Sequence, residues 1–131
     1  MNRAMFRTRT AKALPRTAFA ALLLAAVLAV ASPVRAQFVG GIEDLPLMPG
    51  LTDIPDAGVV FETPAGRIVE AQALAGDNGR AQVLEFYDAT LPQLGWEKIK
   101  SGRYRREGET LHLEFPPGPV PTVRFRLAPG G

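Results

Sequence analysis

The chain has 131 residues, with 15 Lys and Arg against 13 Asp and Glu, and it contains no cysteine. Disulfide staples, thiol nucleophiles and cysteine-ligated metals are therefore excluded, and stability must come from packing alone. The formal charge of +2 hides a division: six of the fifteen bases lie in residues 1–36, whereas all thirteen acids lie in 37–131, which carry a net −4 and so argue against a general nucleic-acid binder.

At the N-terminus, Arg3, Arg7, Arg9, Lys12 and Arg16 precede an apolar run at 17–31. This order is the positive region and the hydrophobic region of a signal peptide. Val34-Arg35-Ala36 then sets modest side chains at the two positions a signal peptidase reads, which predicts cleavage after Ala36 and a new N-terminus at Gln37. The alternative is an inner-membrane anchor made by uncleaved residues 17–31, although about 15 apolar residues fall short of the ~20 in a spanning helix. A lipid-bearing cysteine is absent and Thr8 separates Arg7 from Arg9, so the general secretory route is expected. The product is a periplasmic or secreted chain of about 95 residues, with no membrane span after cleavage and room for one modest core.

Residues 37–58 are broken by Gly40-Gly41, Pro46, Pro49-Gly50, Pro55 and Gly58, yet carry Leu45, Leu47, Met48, Leu51 and Ile54. They read as an extended, proline-stiffened arm lying over the core of a domain at 59–131. A proline-type docking ligand is the other reading, but no spaced PxxP with a flanking base is present.

Two strand-like stretches, 59–63 and 68–75, flank turn chemistry at Pro64-Ala65-Gly66-Arg67 and predict a β-hairpin. Asp77 or Asn78 offers a helix N-cap. The apolar stripe Val83, Phe86, Tyr87, Thr90, Leu91 and Leu94 then predicts an amphipathic helix, kinked at Pro92 and ended by Gly95. Strands are expected at 96–100, 104–107, 110–115 and 120–127, the last two with strict alternation around Leu111, Leu113 and Phe115 and around Val123, Phe125 and Leu127. The expected fold is α+β: an antiparallel sheet of about five strands packed against one α-helix, with an irregular N-terminal arm.

Chemistry-bearing residues are few. His112, the one histidine, falls on the face of its strand opposite Leu111 and Leu113, without a legible orienting partner or metal-ligand spacing. Ser101 sits in a Ser-Gly turn and not in a nucleophile elbow. Glu43, Asp44, Asp53 and Asp56 could in principle serve hydrolysis or calcium binding, but read as loop acids. No catalytic set, metal site or cofactor is expected.

Charge is more informative: residues 37–66 hold five acids and no base, whereas 96–131 hold seven bases against four acids. Lys98, Lys100, Arg103, Arg105 and Arg106 could touch an anionic envelope surface such as lipid headgroups or lipopolysaccharide. Alternatively they coat a solvated hairpin and pair across strands with Glu97, Glu107 and Glu109. Trp96 and Tyr104 could line a ligand surface beside the helix or belong to the core.

The string at 86–96, Phe-Tyr-Asp-Ala-Thr-Leu-Pro-Gln-Leu-Gly-Trp, resembles a pattern in small exported bacterial domains of proteobacterial type, where such a helix end is followed by β-hairpins. Leu-Pro-Leu-Met-Pro-Gly at 45–50 and Val-Phe-Glu-Thr-Pro-Ala-Gly-Arg at 60–67 resemble the same group, so the likeness covers most of 37–131. These domains are loosely similar to helix-grip modules, including those in accessory lipoproteins of outer-membrane assembly, whose lipid-bearing cysteine this chain lacks. The resemblance implies a fold, and no functional residue is carried over from it.

The functional expectation is a non-enzymatic binding or adaptor domain of the cell envelope. It would meet another envelope protein, through a sheet edge or the helix–sheet groove, or an anionic envelope surface. A small envelope-acting hydrolase using Asp or Glu, and a small-molecule carrier, are the alternatives.

Overall fold

The computed structural model describes residues 37–130. The expected signal segment and its cleavage residue Ala36 lie outside the described residues.

Seven strands form one antiparallel sheet: β1 (Thr52–Asp53), β2 (Val59–Thr63), β3 (Gly66–Leu74), β4 (Glu97–Lys100), β5 (Arg103–Arg106), β6 (Glu109–Glu114) and β7 (Thr122–Pro129). The order is β1-β3-β7-β6-β5-β4, and β2 also pairs with β3. β1 pairs with Ala73 and Leu74 and β2 with residues 66–70, so both lie along one edge of β3, separated by a 3₁₀ turn at Pro55–Ala57. β4 is the opposite edge. The α+β architecture agrees with the sequence reading, with a larger sheet than the five strands expected. Part of the excess is β1, two residues of the arm whose prolines and glycines masked any strand signal.

The helix α1 (Arg80–Thr90) follows β3 and tightens into a 3₁₀ turn at Leu91–Leu94. Pro92 explains the tightening, since it has no amide hydrogen to continue an α-helical ladder. The expected cap at Asp77 or Asn78 is instead Gly79, whose amide donates to Gln82 Oε1 at 2.8 Å. That bond satisfies one of the orphan amides at the helix start. Of the predicted stripe, Val83, Tyr87 and Leu91 are buried, and Leu94 turns out to solvent as the helix winds tighter.

Alternation works as read along β6 and β7: Leu111, Leu113, Val123, Phe125 and Leu127 face the helix with Val69, Ala71 and Ala73 of β3. Residues 37–58 add Val39, Ile42, Leu45, Leu47 and Leu51 to the same core, each at most 7% exposed. A bridge between Phe38 and Pro46 and the amide of Leu47 donating to Gln37 O at 2.8 Å hold this segment in place. Two hydrogen bonds then lock it to α1, because the Tyr87 hydroxyl accepts from Met48 N at 3.1 Å and donates to Pro46 O at 2.8 Å. Among the described residues, no helix is long and apolar enough to cross a membrane.

Candidate functional site

Every buried side chain of the strands points to the helix side, so the other face of the sheet carries only half-buried or exposed residues. Strand register arranges them in rows. One row runs Lys100, Arg103, His112, Arg126 and Glu70 across β4, β5, β6, β7 and β3. The next runs Glu97, Arg105, Thr110 and Ala128. On the other flank, Arg124 stands between Glu114 of β6 and Gln72 of β3. The tight turn at Glu107 and Gly108, both with positive φ, fixes this register between β5 and β6.

A shallow hollow of about 430 Å³ opens on this face, bordered by Ile99, Arg103, Arg105, Thr110, His112, Arg126 and Ala128. Its charges are poorly compensated. Arg124 meets Glu114 at 3.1 Å, but Arg126 reaches Glu70 only at 3.6 Å, and neither Arg103 nor Arg105 forms an ion pair among the described residues. His112 Nδ1 lies 3.4 Å from the same Glu114. Burial, and then the neighbouring Arg103, hold the imidazole below its ordinary pKa, outweighing the opposing pull of Glu114, so it is neutral at pH 7.

The residues singled out in the sequence therefore divide. Lys100, Arg103 and Arg105 share the open face, and sequence reading missed Arg126, Ile99 and Thr110 because the pairing across β4, β5, β6 and β7 that gathers them, with its break at Ile99, is not visible in any one strand. Lys98 instead reaches Asp88 of α1 at 3.2 Å. Arg106 lies over the Trp96 ring, 4.3 Å from its centroid, donates to Leu94 O at 3.1 Å and pairs with Asp44. Trp96 and Tyr104 are 3% and 0% exposed, core side chains with no surface for a ligand. The Tyr104 hydroxyl donates to Asp88, which also accepts from Ser101 at 2.8 Å.

The expected cross-strand pairing with acids is not realised. Arg105 stands opposite Glu97 and Arg106 opposite Glu109, yet Glu109 is bound by Arg67 at 3.0 Å and Arg106 turns to Asp44. Of the early acids, Asp53 meets the Gly40 amide at 3.4 Å, and it borders, with Glu70, Ile54 and Val60, a second hollow of about 270 Å³. Among the described residues, no group of three or more His, Asp or Glu is placed to hold a metal ion.

The two sheet edges differ. β4 carries Lys98 and Lys100 and a register break between them, devices that discourage further pairing. β2 has neither: Val59, Val60 and Phe61 are 39%, 56% and 59% exposed on a strand paired on one side only.

The chain matches no protein-family model, no curated protein and no solved structure.

Proposed function

We propose that residues 37–130 form a non-enzymatic binding domain of the cell envelope, exported by residues 1–36 as a cleaved signal. In this reading the domain takes up an extended, basic segment of another envelope polypeptide as an added strand on β2. The observation that carries it is the unguarded edge of Val59, Val60 and Phe61, set against the lysine-guarded edge at β4. An open edge supplies main-chain hydrogen bonds to an incoming strand, and alternate apolar side chains supply pockets on both faces. Charge supports a basic partner: exposed Asp56 lies in the 3₁₀ turn that precedes β2 and exposed Glu62 near its end, in a stretch of five acids and no base. Two copies pairing through β2 would bring those acids together. The signal-like order of residues 1–36, and the resemblance of 86–96 to exported helix-grip-like domains, support the envelope location.

The test is affinity purification of the C-terminally tagged protein from envelope fractions, with intact-mass analysis and amide exchange on the recovered complex. The expected result is a chain beginning at Gln37, protection of the amides of 59–63 by a partner, and loss of that partner in the Phe61→Lys variant. A partner retained equally by Phe61→Lys, a chain recovered alone, or concentration-dependent self-association through β2 overturns the reading.

A further inference from the structure

The row Lys100, Arg103, His112 and Arg126 sets three cations and a neutral imidazole side by side on adjacent strands, closed by a carboxylate only at Glu70. Directly opposed side chains in a sheet lie ~5 Å apart, and like charges there are destabilising. The sheet neutralises Arg124 with Glu114 one row away, so the shortage of acids is local to this row. Arg105, on the same face of β5 as Arg103, adds a further cation that forms no ion pair among the described residues. An arrangement that works against folding and concentrates unpaired guanidinium groups is expected where a ligand supplies the missing negative charge.

We propose that Arg103, Arg105 and Arg126 bind a phosphoryl group in the hollow on the open face of the sheet, with His112 beneath it and Ile99 and Ala128 against the adjoining part of the ligand. Guanidinium groups suit this role because their fixed fork of donors matches the oxygens of a phosphate. The groups facing His112 are Arg103, Arg126 and Lys100, which raise the local positive potential, and Glu114 and Glu70, already engaged with Arg124 and Arg126. The ligand is a soluble phosphate ester or a phospholipid headgroup, and both present the same chemistry to the arginines. This site lies away from the β2 edge and stands independently of the strand-addition reading.

The sole histidine is its own reporter. The imidazole resonance of His112 is followed by NMR in the purified protein during titration with sodium pyrophosphate, and in parallel with phosphatidylglycerol vesicles, against sodium chloride at matched ionic strength and phosphatidylcholine vesicles. Pyrophosphate is expected to shift the resonance saturably and to raise the apparent pKa of His112. The Arg103→Gln/Arg105→Gln variant should weaken binding about tenfold or more, as loss of charge-assisted hydrogen bonds requires. Arg126→Gln gives the same reading should the double variant fail to fold, and Lys98→Gln, whose side chain reaches Asp88 on the helix side, should bind normally. Saturation by vesicles alone, lost in the arginine variants, supports the site and identifies the headgroup as the source. A shift that follows ionic strength only, no saturable response to either probe, or binding that survives the arginine substitutions overturns the proposal.

Discussion

The Tyr87 hydroxyl donates to the carbonyl oxygen of Pro46 at 2.8 Å, joining the middle of the helix to a proline 41 residues earlier. The Tyr87 hydroxyl oxygen in turn accepts from the Met48 amide, so one phenol satisfies two main-chain groups of a segment with little regular structure of its own. Replacing it with phenylalanine keeps the ring and its edge-on contact with Phe125, centroids 5.5 Å apart, but leaves both groups unpaired. Tyr87→Phe is expected to cost about 1–3 kcal/mol in urea unfolding, the penalty for orphaned buried polar groups. Burial raises the Tyr87 phenol pKa, against the opposing donation from Met48. The unfolded chain therefore releases this proton first, and stability present below pH 10 should fall as pH rises beyond it. The wild-type decline above pH 10 should be shallower in the variant, where Tyr104 alone of the two buried phenols remains.

Arg106 ties three parts of the molecule together: the Trp96 ring, the Leu94 carbonyl and Asp44. Its side chain is 19% exposed, so the stacking and the hydrogen bonds are partly shielded from water. Arg106→Ala should lower stability by about 1–2 kcal/mol. Uncovering the indole should also red-shift the emission of the single tryptophan in the native state, which fluorescence would record directly.

Gly41 has φ of +82°, and a Cβ there would come within 2.9 Å of Val69 Cγ1. Alanine would meet both a backbone conformation unfavourable to L-residues and a β-branched core side chain that has little room to turn. A loss of about 1–3 kcal/mol is expected for Gly41→Ala. Amide exchange should place the loosening in residues 39–47, with the β6–β7 pair unaffected.

Burial of Asp88 opposes its ionisation, but donation from Tyr104, then Ser101 and Lys98, outweighs that cost and leaves its pKa below the ordinary 3.8. A depressed carboxylate contributes stability above its unfolded pKa and loses it as pH falls. Asp88→Asn should therefore be less stable than wild type at pH 7, by about 1 kcal/mol. The gap should close as the pH is taken below 3.8, where the wild-type carboxylate becomes protonated. A urea-unfolding series at pH 7, 5 and 3 measures both limbs.

Much of the core was legible because alternation and helical spacing are local. Leu111, Leu113, Val123, Phe125 and Leu127 each reveal their face through their immediate neighbours, as do Val83, Tyr87 and Leu91. The basic hollow was half legible. Arg103 and Arg105 sit two apart on one strand, but Arg126 joins them only through the pairing of β6 with β7, which no single-strand pattern encodes. Arg106 and Lys98 looked equivalent to them as charges, yet they fall on the other parity of their strands and are drawn to Asp44 and Asp88. Trp96 was ambiguous because an aromatic just after a helix can face either way. Its burial follows from the 3₁₀ turn, where its amide donates to Leu91 O at 3.1 Å and turns the chain inward.

Inside the sheet β3 pairs with β7, which sets Val69 beside Leu127 and Ala73 beside Val123. β3 ends at Leu74 and β7 begins at Thr122, with the helix and both later hairpins made from the residues between them. The hairpins β4–β5 and β5–β6 are local and can form early, but β6 keeps an unpaired edge until β7 arrives. Closing a loop of this length is an entropic cost met before the β3–β7 contacts can repay it, and non-local pairing of this kind slows folding. A chain emerging N-terminus first therefore has no stable stopping point before β7, and removing that strand alone should abolish folding and not merely trim the sheet.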